Sequence, residues 1–535
     1  PEKLERDNYT EAVAREYMIP ETDLKNLVNS MGGLIGVTTR EREYDKERIR
    51  QKKEKEDGIR KSQRLLLTWL IERPQLFEKI RGIITPEDFD DELYREAASM
   101  VFDEYEKTGS VNPAQILNHF IEGEEQYREV AALFHASLSE SLNNEEQRRA
   151  LSETVKKIKK HSLEEKGIPG CSFALLKDGE KVYEHYTGYA DLESGRKIGP
   201  DTMFRIYSMT KLFTCVAAMQ LYEQGKFLLT DPVSTYLPEF AEMQVLYTKP
   251  NAKTEWRRAV QPIRVGDLFG MTAGLTYEGD GGDAAREVAG RLARLRQEKP
   301  EHTTRELVQA LAECPLAFEP NSHWRYSMCH DVLGAMIEVL SGERMSEYIA
   351  RHITEPLGLK DTVFRCDSRT LEERMAGFYE RQADGTYRKL VRQDVYYRTD
   401  CRVDRGGAGM ISTLGDYLTF AQALCDGGTT RNGIRILGEE TLRLMRTNRL
   451  NELQRADFDW THCRGYGYGL GMRVMMDPDK AGGGNVGEFG WSGMAGTWVM
   501  MDPEKRLTAV YMEQASPSLE PYIAPRLRNM IYSCL

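Results

Sequence analysis

No stretch of this 535-residue chain approaches the roughly 20 consecutive apolar residues that cross a bilayer, so no membrane span is expected. The opening residues, PEKLERDNYT, hold no apolar signal core, and the expectation is a cytoplasmic chain. Positive charge is also short. The 73 Lys and Arg stand against 84 Asp and Glu, for a formal net charge of -11, whereas a nucleic-acid surface needs a clustered cationic excess. Direct nucleic-acid binding is therefore not expected. Nine cysteines occur, none before Cys171 and none in a C-x-x-C pair, which argues for reduced thiols over a disulfide framework or a zinc site. The H-E-x-x-H and phosphate-loop patterns are missing too. His323 and His330 read as ordinary polar residues, and neither a metal nor an organic cofactor is expected.

What is present divides the chain in two, as its length leads one to expect. Residues 1 to about 165 are rich in Glu, Lys, Arg and Leu, with apolar positions recurring at helical spacing, and read as all-α. RLLLTWLIERPQLFEKI is a helix interrupted at Pro74, Thr85 is an N-cap with Pro86 behind it, and Gly109 ends the helix of DELYREAASMVFDEYEKTG. The mixed-charge run TREREYDKERIRQKKEKEDGIRK has little to bury and reads as a solvated helix or a linker. From about residue 168 the apolar residues alternate. CSFALLKDGEKVYEHYTGYAD is a β-hairpin around Asp178-Gly179, and GTWVMMDPEKRLTAVYMEQ is a second strand pair. Helical segments such as LFTCVAAMQLYEQG, ending at Gly225, lie between them, which predicts an α+β domain with an antiparallel sheet. The expected organisation is a helical segment and charged linker over 1–61, a helical domain over 62–165 and the α+β domain over 166–535.

The run FRIYSMTKLF places Ser208 and Lys211 on neighbouring points of one helix face, where the amine can reach the hydroxyl. A serine hydroxyl is a weak nucleophile until a base takes its proton, and an ammonium cannot do so. Burial among Phe204, Phe213 and their neighbours lowers a lysine pKa and makes the amine a usable base. A place on the first helical turn adds a dipole that favours negative charge on the serine oxygen.

GIPGCSFALLKDG, DTMFRIYSMTK, LTDPVSTYLPEF, WRYSMCHDVLG, EPLGLKDTVF, GGAGMISTLGDY, YGYGLGM and GWSGMAGTW succeed one another in an order that resembles the serine hydrolases related to class C β-lactamases, penicillin-binding proteins and esterases. The resemblance implies a β-lactamase-like α+β domain, an antiparallel sheet flanked by helices with a mostly helical second subdomain. It implies Ser208 as nucleophile, Lys211 as base, and Tyr326 as the tyrosine of a Tyr-x-Asn motif that shares the proton. Met328 stands where that motif has asparagine, and Trp491-Ser492-Gly493 where β-lactamases have Lys-Thr-Gly. Trp491, Gly493 and Met328 are thus expected at the substrate, and the amides of Ser208 and Met494 at the oxyanion. Loss of the asparagine amide and of the lysine cation points to a small-molecule ester more than a β-lactam or peptide. The glycine pairs and triples at 406–407 and 482–484 read as turns with no part in catalysis.

Residues 62 to about 160, which carry RLLLTWLIERPQLFEKIRGIITPEDFDDELYREAASMVFDEYEKTGSVNPAQILNHFIEGEEQYREVAALF, resemble the helicase-binding C-terminal region of bacterial primase. EAVAREYMIPETDLKNLVNSMGG resembles the stretch that precedes this region in that family. The resemblance implies a replicative helicase as partner through 62–165. The primase zinc module and polymerase core have no counterpart, so primer synthesis is not expected. A rival reading is therefore a replication-associated interaction protein whose hydrolase fold is inactive or incidental.

Overall fold

The computed structural model describes residues 60–131 and 168–534, apart from 72, 81–83, 90, 121–125, 129, 249–253, 383–386, 391–393 and 459. The patterns read over 11–33, all but the end of the charged run, and the junction before 168 lie outside the described residues. The chain divides into two compact units, Pro1–Leu163 and Glu164–Leu535. Among the described residues no helix is long and apolar enough to cross a membrane.

In the N-terminal unit a helix over 60–71 stops before Pro74, where a 3-10 turn, Pro74–Leu76, leads into Phe77–Ile80. The backbone N–H of Thr85 donates to Asp88 at 2.9 Å and opens a second short turn at Pro86. Helix Glu92–Thr108 is capped by Asp91, which accepts from the Tyr94 amide, and ends at Gly109 with φ +70°, the left-handed conformation glycine adopts without a Cβ clash. Leu66, Leu70, Phe77, Phe89, Tyr94 and Val101 meet in a core of its own.

The C-terminal unit is built on an eight-stranded sheet. Its strands lie in the order Tyr466–Tyr468, Arg473–Met475, Phe489–Ser492, Trp498–Asp502, Leu507–Glu513, Gly170–Lys177, Glu180–Asp191 and Arg196–Lys197, each antiparallel to its neighbour. The two hairpins expected from alternation are here side by side. Asp178 and Gly179 both take positive φ, 55° and 71°, the requirement of the two-residue turn that Asp-Gly favours. Strand Gly170–Lys177 alternates buried and half-buried residues, whereas Leu507–Glu513 is buried throughout, since helix Leu414–Cys425 packs on the centre of the sheet. That central pairing, Cys171 opposite Glu513, joins the two ends of the unit and leaves the middle of the chain to form helices.

Helix Thr210–Glu223 is apolar on all sides and accordingly buried, packed against helix Cys329–Ser341. Just before it, strand Phe204–Arg205 pairs with Ile411–Ser412, which ties the approach to Ser208 to the loop that carries Gly407. Arg205 is held by Asp394 through two bonds of 3.0 and 2.6 Å and donates to the Ala376 carbonyl at 2.7 Å.

Candidate active site

Ser208 stands in a 3-10 turn, Tyr207–Met209, directly ahead of the α-helix, and Lys211 is the second residue of that helix. The expectation of both residues inside one helix is corrected to this extent, yet the side chains meet. Tyr207 has φ +42°, an uncommon value for a bulky residue that marks a constrained turn at the serine. The Lys211 amine lies 3.2 Å from Ser208 Oγ, 3.0 Å from the Tyr277 hydroxyl and 2.7 Å from the Gly407 carbonyl oxygen. That carbonyl can only accept, so one amine hydrogen is committed to it. A neutral amine then has a lone pair left to accept the Ser208 proton.

Lys211 is fully buried, and this burial brings its pKa from 10.5 down to about 7; Asp331 opposes the shift and Arg405 adds to it. Gly407 makes the arrangement sterically feasible. A Cβ there would stand 2.8 Å from Asp331 Oδ2 and 3.4 Å from Lys211 Nζ. The glycine turn assigned no role from sequence is thus the wall that fixes the amine. Tyr277, also absent from the sequence reading, carries no short signal that separates it from a core aromatic.

Tyr326 closes the other side. Its hydroxyl accepts from Trp491 Nε1 at 2.9 Å, while its ring centre lies 4.4 Å from Lys211 Nζ. Burial pushes its pKa well up, and the Ser208 and Trp491 side chains pull against that rise. At neutral pH it therefore holds its proton. Trp324, Tyr326, Phe458, Trp460, Tyr468 and Trp491 interlock as an aromatic wall, with ring centroids 4.7 Å (Trp324 and Phe458) and 5.1 Å (Tyr468 and Trp491) apart.

A cavity of about 560 Å³ opens on Ser208, Tyr326, Trp491, Gly493 and Met494, bringing these sequence-identified residues together. Strand Phe489–Ser492 carries Trp491 to the cavity, but its indole N–H is given to Tyr326 and not left for substrate. Gly493 lets the strand end touch the serine loop. A Cβ would come within 2.5 Å of the Ile206 carbonyl oxygen and 2.1 Å of Thr497 Oγ1. Hydrogen bonds from Gly493 N–H to Thr497 O and from Gly496 N–H to Gly493 O close a tight turn that exposes Met494 beside Ser208. Met328 does not join them. It precedes helix Cys329–Ser341 with its side chain buried in the core, because the turn that presents Tyr326 to the cavity directs Met328 inward. The lining also carries a polar group, His462, Arg473, Ser492 and Glu520, of which only Ser492 belonged to a motif legible in sequence.

A buried lysine on a serine, a phenol beside both, and a strand turn opposite define a serine hydrolase of the β-lactamase fold. Residues 149–529 match the Beta-lactamase family model, and the chain belongs to that family. Protein Rv1367c of Mycobacterium tuberculosis is 34% identical over 365 residues, covering 66% of this chain and 88% of that protein. Esterase EstB of Burkholderia gladioli is 31% identical over 206 residues, 38% of this chain and 49% of the esterase. Among solved structures, EstCE1, a hydrolase with promiscuous acyltransferase activity, superposes with a TM-score of 0.58 at 26% identity over 70% of this chain and 96% of its own. Simvastatin synthase LovD from Aspergillus terreus shares the fold, with a TM-score of 0.60 at 23% identity over 70% of this chain and 96% of its own.

Proposed function

We propose that the C-terminal unit is a carboxylesterase acting through an acyl-enzyme on Ser208. The observation that carries this reading is the fully buried Lys211 amine 3.2 Å from Ser208 Oγ. Ser208 Oγ attacks the ester carbonyl carbon as its proton passes to Lys211. Collapse of the tetrahedral adduct breaks the bond to the alcohol oxygen, which takes a proton delivered through Tyr326. Water then adds to the acyl group, gives its proton to the same pair, and the acid leaves as Ser208 regains its hydrogen. The backbone amides of Ser208 and Met494 serve the oxyanion, each such donor being worth about 3 kcal/mol. No step calls for a metal or organic cofactor.

Esters are preferred to β-lactams and peptides for two reasons. Met328 lies in the core and supplies no amide to the cavity, and an indole at Trp491 replaces an ammonium. The rings of Tyr326, Trp460 and Trp491, which line the cavity, give an apolar acyl or alcohol group a surface to bury. Short-chain aryl ester hydrolysis tests the reading: the rate is expected to fall to background in Ser208→Ala, and equal rates above background would remove it.

For residues 62–165 we propose a docking role toward a replicative helicase, supported by the sequence resemblance and, between Leu66 and Val130, by helices that share a core of their own. In that rival account the hydrolase fold is incidental. Pull-down of a bacterial replicative helicase by the full chain tests it, and recovery of none would overturn it.

A further inference from the structure

The polar side chains of the cavity lining hold a charge arrangement that the reaction scheme leaves unused. Strand Arg473–Met475 lies beside Phe489–Ser492, with Arg473 opposite Gly490, and this register aims the guanidinium at the cavity. Its Nη1 donates to Ser492 Oγ at 2.8 Å, and that hydroxyl donates to Glu520 Oε1 at 2.6 Å. Glu520 Oε1 is 3.7 Å from Arg473 Nη1, and His462 Nε2 is 3.7 Å from Glu520 Oε2. The side chains of Arg473 and Glu520 are 4% and 9% exposed, so water screens them little. Burial holds the His462 pKa down, so at neutral pH Arg473 is the cation among the described residues that line the cavity. Glu488, the other acid near Arg473, is occupied by the hydroxyls of Tyr466 and Tyr532.

A guanidinium beside a hydroxyl, lining the same cavity as a nucleophilic serine, is a ready donor pair for a carboxylate. Here the chain fills it with its own. We propose that Glu520 is a specificity-determining residue: it occupies the Arg473–Ser492 pair, so that acyl substrates bearing a free carboxylate are refused and uncharged ones are taken. The inference rests on the ester-hydrolase reading and narrows its substrate class. A second carboxylate would meet Glu520 at short range in a poorly screened site, and like charges so placed repel. Removing the Glu520 charge leaves Arg473 without its cavity partner and opens the pair to an acidic ligand.

Full-length protein carrying Ser208→Ala, in which binding is read without turnover, is titrated calorimetrically with 4-nitrophenyl valerate and 4-nitrophenyl hemisuccinate. These esters are similar in length and differ in one terminal carboxylate. The neutral ester is expected to bind roughly ten-fold more tightly, and adding Glu520→Gln to narrow that ratio by roughly ten-fold. Glu520→Ala, judged by the same ratio, covers a glutamine variant that does not fold. Equal binding of the two esters with Glu520 in place, a ratio unmoved by its replacement, or no binding of either ester overturns the proposal. Because the readout is binding, it fails separately from the esterase reading, which turnover by the Ser208 protein decides.

Discussion

The indole of Trp491 donates its one hydrogen to the phenol oxygen of Tyr326 at 2.9 Å, so the third sequence motif acts on the second before either meets a substrate. The phenol is buried and its pKa is pushed up by that burial, with Trp491 among the groups that resist the rise. Trp491→Phe keeps an aromatic ring in the wall and removes the donor. Turnover of an aryl ester is expected to fall roughly ten-fold, the equivalent of one hydrogen bond, with little change in the thermal midpoint. An unchanged kcat would show that the contact is packing alone.

Lys211 sets the pH dependence. Its burial lowers the pKa to about 7, and only the neutral amine accepts the serine proton, so kcat/KM should rise with pH through about 7 and then level. Stability carries the same sign. Between about 7 and 10.5 the unfolded lysine binds a proton that the folded one does not, so the cost of burying this amine shrinks as pH rises through that window and is restored as pH falls toward 7. A pH profile of kcat/KM, beside denaturant midpoints across the same range, checks both.

Replacement of the lysine separates function from folding. Lys211→Met keeps the volume and removes the penalty of burying an amine, so the thermal midpoint at neutral pH should hold or rise while turnover falls by roughly 1,000-fold or more. A variant that loses its fold along with its activity would contradict the account of that burial.

Gly493 touches the backbone two residues before the nucleophile. With a Cβ placed 2.5 Å from the Ile206 carbonyl oxygen, Gly493→Ala must push the strand away from the Ser208 loop. A displacement near 1 Å there is expected to lower kcat on the order of 100-fold, more than it alters KM. Steady-state kinetics with one aryl ester separates the two.

Arg205 is buried directly upstream of the serine and neutralised by Asp394, whose carboxylate is partly exposed. Asp394→Ala leaves the guanidinium uncompensated and should destabilise the C-terminal unit by about 3 kcal/mol, read from urea denaturation. A loss within error of zero would mean that the Ala376 carbonyl suffices.

The parts legible in the sequence are those whose signal is local. Alternation on either side of Asp178-Gly179 marks a hairpin because an Asp-Gly turn fixes its own register, and Ser208 with Lys211 comes from a spacing of one helical turn. Trp491 and Gly493 are within reach because a strand end and the turn after it form one continuous segment. Met328 departs from its expected place for a related reason: nearness in sequence to Tyr326 does not decide which side of a turn a side chain takes. Tyr277, Gly407 and the Arg473–Glu520 pair come to the site from four separate stretches, and only the completed sheet and the strand pairing of Phe204–Arg205 with Ile411–Ser412 brings them in. No short-range pattern encodes such meetings. The helical patterns around Pro74, Thr85 and Gly109 are local too, and they appear where capping and chain-breaking chemistry places them.

The central claim, that a buried neutral amine activates Ser208, is tested most directly by the pH dependence of covalent labelling with a fluorophosphonate. The adduct is expected on Ser208, forming at a rate that rises through about pH 7 and is lost in Lys211→Met. Labelling at another residue, or a rate on Ser208 that ignores both pH and the lysine, would contradict it.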